Sequence, residues 1–193
     1  RRGGDEMSQE LVIITLSMPI LFALHNLEEA IIFEYFFQKN NQRIIDSFPK
    51  RFRNRVCQMA LGHTGGSFSL AITILLMILT VISYLALYLN AHYMWLIWLS
   101  ATLVFTLQLV VHIVTAIVWR GYAFGTITAI LFLPIFCVMI DHFLMLQSFT
   151  IAEIVAASLA IGIVTYAGGL PLFFNVIMRW FERRFEVKGG IDE

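Results

Sequence analysis

Charge is what this sequence has least of. Only 13% of its 193 residues are Asp, Glu, Lys or Arg, where a soluble domain carries about 25%. The 13 basic and 13 acidic residues cancel, so no net field recruits nucleic acid or an acidic partner. Cysteine is nearly absent. Cys57 and Cys137 fall in or beside apolar runs and lack metal-ligand spacing, which excludes a disulfide framework or thiolate zinc site and predicts buried free thiols. No internal repeat and no low-complexity tract is present, so solenoids and disordered arrays are excluded. The first apolar run is too long for a signal peptide and has no small-residue cleavage site before the next charges.

What is there is hydrophobic. Apolar residues make up 59% of the chain, the mean hydropathy is +0.80, and the excess lies in runs long enough to cross a bilayer, which takes about 20 residues per helix. The reading is an all-α, polytopic transmembrane helical bundle forming a single domain over residues 1–193, with polar tails at about 1–8 and 186–193. Five spans are expected: Glu10 to Phe37, Val56 to Leu89, Tyr93 to Trp119, Ala123 to Leu146 and Thr150 to Phe181. A basic polar loop, Gln38 to Arg55, follows the first. That loop, the Arg120 turn and the tail with Arg179, Arg183, Arg184 and Lys188 are the basic ends. The positive-inside rule puts them in the cytoplasm, with the N-terminus outside. Trp95, Trp98, Trp119 and Trp180 fit an interfacial belt, and Pro171 predicts a kink in the fifth span.

The first span contains Leu24-His25-Asn26-Leu27-Glu28-Glu29-Ala30. Ionisable groups inside a bilayer cost about 2.5–3.5 kcal/mol each on insertion scales and mark function by default. At about 100° per residue, Glu28 and Glu29 flank His25 on one face, while Glu34 lies opposite and is expected to snorkel or pair with a loop arginine. Counted from the cytoplasmic ends at about 1.5 Å per residue, His25, His63, His112 and Asn175 fall in one layer of the inner half of the bilayer. Asp141-His142 lies about 15 Å away and reads as an interfacial pair.

Three histidines and a carboxylate form a ligand set for zinc or non-haem iron. The expected metal ligands are His25, His63, His112 and one of Glu28 and Glu29, the other glutamate being the general base. Gln108, Thr115 and Asn175 are expected to support the ligands or donate to a developing oxyanion. Too few carboxylates share the layer for a two-iron site, so one ion is favoured. The function read from this is a metal-dependent hydrolase, zinc preferred and iron the alternative, acting on a lipid or lipid-linked substrate with membrane lipids as partners. The rivals are an iron-dependent lipid oxidase or hydroxylase, a haem electron carrier ligated by His63 and His112, and a transporter or proton relay using Glu28 and Glu29.

These residues also carry a resemblance. His25-x-x-Glu28-Glu29, His63 in Leu61-Gly62-His63-Thr64-Gly65-Gly66, His112, and the Tyr122-to-Thr128 turn resemble the bacterial HXXEE-motif membrane proteins, whose function is uncharacterised. The resemblance implies location in a bacterial cytoplasmic membrane and the histidine-carboxylate cluster; it implies no substrate. Phe124 stands where a proline is frequent in that family's turn, which implies a less rigid turn.

Overall fold

The computed structural model describes residues 9–46, 63–169 and 172–185. Five helices are long and apolar enough to cross a membrane, and no strand occurs among the described residues. They are α1 (Gln9–Asp46), α2 (Gly65–Leu89), α3 (His92–Trp119), α4 (Thr126–Leu146) and α5 (Ile151–Ile163). α5 runs on through π-helical turns, Val164–Gly169, and a second π-helical stretch, Phe173–Met178, leads into the short α6 (Arg179–Phe185). The described part of the expected fifth span is helical over Ile151–Gly169, and the chain is helical again over 172–185. The expected kink residue, Pro171, lies outside the described residues.

α1 also departs from expectation, remaining helical over 38 residues and into the segment expected to be loop as far as Asp46. Nothing in Gln38–Asp46 breaks a helix, and several side chains bond one turn along it: Lys39 to Tyr35, Asn40 to the Phe36 carbonyl, Gln42 to Asp46. Ile44 is buried, and the Arg43 guanidinium lies over the Trp119 ring and donates to the Trp119 carbonyl. At about 1.5 Å per residue α1 exceeds the roughly 30 Å hydrocarbon core, so its ends stand clear of it.

The other boundaries follow local chemistry. α2 starts at a capping box in which the Thr64 hydroxyl accepts from Ser67 N–H and the Ser67 hydroxyl accepts from Thr64 N–H. α2 and α3 end at residues in the left-handed region, Asn90 and Arg120. α5 opens on a Thr150–Glu153 capping box.

α1 packs against α2 and α4, and α3 packs against α2, α4 and α5. Met18, Phe22, Leu99, Phe105, Leu109, Phe136 and Phe143 fill the centre. Trp95 and Trp98, expected at the membrane interface, are 1% exposed. They turn inward onto Phe143, and Trp95 Nε1 donates to Asn90 Oδ1. Cys137, expected to be buried, is exposed on α4; Cys57 lies outside the described residues. The Arg43–Trp119 contact joins the far ends of α1 and α3 on one side, while His92–Glu153 and His142–Glu10 contacts tie the other.

Candidate functional site

One helical turn separates His25 from Glu29, so both side chains leave α1 on the same face. Both are buried, at 0% and 2% exposure. α3 brings His112 to meet them. Glu29 Oε1 lies 3.7 Å from His25 Nε2 and 3.1 Å from His112 Nε2, yet none of these three buried atoms has a hydrogen-bond partner. Buried polar atoms are nearly always satisfied, so three unsatisfied ones facing a common point need an explanation. All three lie within 4.8 Å of one another, close enough to share one cation. A tetrahedral ion with bonds of about 2.0–2.1 Å has edges of about 3.3–3.4 Å, and the two measured separations bracket that value.

Glu28, next in sequence to Glu29, does something else. Its carboxylate accepts from the Ile127 N–H at 3.3 Å, the Thr128 N–H at 2.8 Å, the Thr128 hydroxyl at 2.5 Å and the Tyr122 hydroxyl at 2.5 Å. Ile127 and Thr128 are in the first turn of α4, whose N-cap, Gly125, offers no side chain. Glu28 thus caps α4 from a different helix, setting an anion against the positive end of the helix dipole.

The same network orients His25. The Thr128 hydroxyl gives its hydrogen to Glu28, so toward His25 Nδ1, 2.8 Å away, it can only accept. Nδ1 therefore carries the ring hydrogen, and the Nε2 lone pair faces Glu29. His112 is fixed in a similar way by a hydrogen bond to the Phe124 backbone, which leaves its Nε2 toward Glu29. Metal-binding imidazoles are ordinarily held like this, by a partner on the far nitrogen.

The turn between α3 and α4 supplies that scaffold. Gly125 has φ +73°, and a Cβ there would sit 2.7 Å from Glu29 Oε1 and 3.1 Å from His25 Cε1. Phe124 packs inward from the turn. Its ring lies among Phe33, Phe36, Phe37 and Phe68, with centroids 5.5–6.0 Å away, and anchors the turn to α1 and α2. Burial and the bond to Glu28 hold the Tyr122 phenol above its ordinary range, so it stays a donor.

A family model described as a protein of unknown function with an HXXEE motif matches residues 16–140. The chain belongs to the HXXEE-motif family. No curated protein and no solved structure matches it. In HXXEE terms, the motif's histidine and last glutamate face the histidine of α3, and its first glutamate holds α4.

Of the five candidates for the expected ligands, the HXXEE site brings together His25, Glu29 and His112 and leaves out Glu28 and His63. Glu28 is occupied by its four donors. His63 is not on the second helix at all, because α2 begins after it. Its Nδ1 lies 3.0 Å from Glu182 Oε1 of α6, and the same carboxylate accepts from Ser67 and the Thr64 N–H. The haem pairing of His63 with His112 loses its geometric basis there. Thr115 spends its hydroxyl on the Val111 carbonyl, and the Asn175 side chain lies outside the described residues. Glu34, expected to snorkel or pair with a loop arginine, is exposed and accepts from the Gly65 N–H at the start of α2. Sequence reasoning missed Thr128 as the group that orients His25. The readable signal was a helix start without a capping side chain, Gly125-Thr126-Ile127-Thr128, beside a helix with a surplus carboxylate.

Gln108 does approach the site. With Asn26 and Glu29 it lines a cavity of about 280 Å³ between α1, α2, α3 and α5 whose other walls are mostly aliphatic or aromatic.

Proposed function

We propose that this HXXEE-family chain is a metal-dependent membrane enzyme, a hydrolase of a lipid or lipid-linked ester or amide, with its ion between His25, Glu29 and His112. The observation that carries the reading is the convergence of three buried, unpartnered acceptor atoms on one point. Two imidazoles and one carboxylate leave a coordination position open, as catalytic zinc sites do. A divalent ion held there would polarise a substrate carbonyl and activate a water. The chain's own contribution is orientation: Thr128 and the Phe124 backbone aim the two rings, and Glu28 fixes the helix that bears Thr128.

The same two-histidine, one-carboxylate set also serves non-haem iron, and Glu28's commitment to α4 deprives a hydrolase of its nearest base. Iron-dependent lipid oxidation is therefore the second reading. A relay in which Glu28 and Glu29 titrate together has less support, since Glu28 already accepts from four donors. For orientation, the positive-inside rule sets the end bearing Arg43 and Arg120 in the cytoplasm and the N-terminus outside. The Arg43–Trp119 contact, joining the ends of α1 and α3, supports that grouping. A bacterial cytoplasmic membrane is the setting the family resemblance favours.

Elemental analysis of the purified full chain tests the reading and separates its two forms. About one equivalent of zinc, or of iron, is expected, falling at least tenfold in His25→Ala and His112→Ala and unchanged in His63→Ala. A folded chain that holds no ion and takes up neither zinc nor ferrous iron on titration would end the proposal. Thr128→Val is a finer probe. It removes the group that orients His25 without touching a ligand, and a metal affinity lower by about 10–100-fold is expected in equilibrium titration.

A further inference from the structure

The cavity beside Glu29 has a direction. Glu34 bonds to the start of α2 and Phe33 stacks on Phe68, at 4.4 Å between centroids, so α1 and α2 run antiparallel in a fixed register. Glu29 is thereby level with the Phe68–Ala71 turn of α2. Asn26 and Gln108 join Glu29 near this end. From there the lining on α2 continues through Ile72, Leu75 and Leu79 to Ile82 with no polar group. From Phe68 to Ile82 is about 21 Å at the helical rise. The cavity of about 280 Å³ thus has an apolar wall on α2 leading away from Asn26, Glu29 and Gln108, the polarity pattern of an acyl chain with an ester at one end.

The slot also has a side opening. Ile78 of α2 and Val164, in the π-helical turn after α5, both line it and are 46% and 67% exposed. Among the described residues α2 and α5 themselves scarcely touch, and α2 meets the Phe173–Met178 stretch instead. A π-helical turn is a departure from regular helix that recurs at functional sites.

We infer that this slot takes one unbranched acyl chain of a membrane phospholipid, admitted sideways between α2 and α5, with the chain's polar end delivered to Glu29 and the two histidines. The inference rests on the metal-enzyme reading, because it names what that site would act on. The polarity of the lining fixes which way the chain lies. The ester end meets Asn26 and Gln108, and the methyl end meets Leu79 and Ile82. A polar group placed at the far end would lose its hydrogen bonds, which costs about 1–3 kcal/mol in a protein interior.

The test uses the full chain in nanodiscs of phosphatidylethanolamine and phosphatidylglycerol, doped with a phosphatidylglycerol bearing a diazirine at the end of one acyl chain. After irradiation, adducts are mapped by mass spectrometry, and bound metal is measured on the same preparations. Adducts are expected at Leu75, Leu79 and Ile82 at least tenfold above the outward-facing Met77 and Tyr84 of the same helix. Ala71→Phe and Ala101→Phe narrow the slot from opposite walls, and each is expected to cut those adducts at least tenfold with metal content unchanged. Adducts concentrated on Met77 and Tyr84, or untouched by both fillers, would overturn the slot whatever the metal content. Slot adducts on a chain that binds no ion would support the slot and overturn the metal reading instead.

Discussion

Glu28→Ala is expected to detach α4 from α1 and to lower stability by about 2–4 kcal/mol. Loss of a capping side chain costs about 0.5–2 kcal/mol. Here the same deletion also strands the part-buried Thr128 N–H, and an unpaired donor costs about 1–3 kcal/mol when fully buried. Partial exposure of Glu28 keeps the total below a full sum. The structural signature is local: amide exchange of Ile127 and Thr128 should rise far more than that of α2 or α5. Without Glu28 to take its hydrogen, the Thr128 hydroxyl can donate to His25 Nδ1, so the ring's tautomer is no longer fixed and metal affinity should fall although no ligand has been touched. Glu28→Gln should recover part of the stability, since its amide oxygen can still accept from α4. Equal thermal midpoints for Glu28→Ala and the parent, with unchanged exchange at the start of α4, would contradict the capping role.

Gly125→Ala is the smallest change expected to have a comparable effect. Placing an L-residue in the left-handed region costs about 1–2 kcal/mol. The added methyl would also meet Glu29 Oε1 at 2.7 Å and Glu29 Cγ at 3.3 Å, and Glu29 is walled in on its other side by His112. A total loss near 3 kcal/mol is expected, with at least a tenfold drop in bound metal. Gly121→Ala in the same turn is the control. Its nearest atom is 3.9 Å away and its φ is not positive, so it should alter stability by no more than about 0.5 kcal/mol. If the two alanine variants behave alike in thermal unfolding and metal content, the close approach at Gly125 has no consequence for the site.

How much of this was readable beforehand depends on what sets each feature. The five spans were legible because bilayer thickness imposes run length, and the expense of burying His25, Glu28 and Glu29 marked the site. His112 was found because it lies on a regular helix, where counting residues gives depth. His63 was misplaced because the same counting assumed a helix from Val56. The Thr64-x-x-Ser67 capping box, a local start signal, was the information that would have moved the boundary. The reach of α1 to Asp46 was missed because polarity was read as loop, although Gln, Lys and Arg are good helix formers. Glu28 and Glu29 were expected to share one task because angular position treats them as near neighbours. What separates them is the start of α4 on one side of α1 and His112 on the other, and one helix alone cannot reveal its neighbours.

The caps that α1 provides have a bearing on how the chain enters a membrane. Glu28 reaches its partners on α4 across 100 residues of sequence, and Glu34 reaches Gly65 across 31. During synthesis α1 leaves the ribosome with its carboxylates unanswered, each adding on the order of 2.5–3.5 kcal/mol to the insertion of a solitary helix. Lodging α1 in lipid by itself is accordingly the least favourable step of assembly, and it becomes downhill only when the fourth span emerges. In this bundle α1 settles only after α4, which is made later, has joined it.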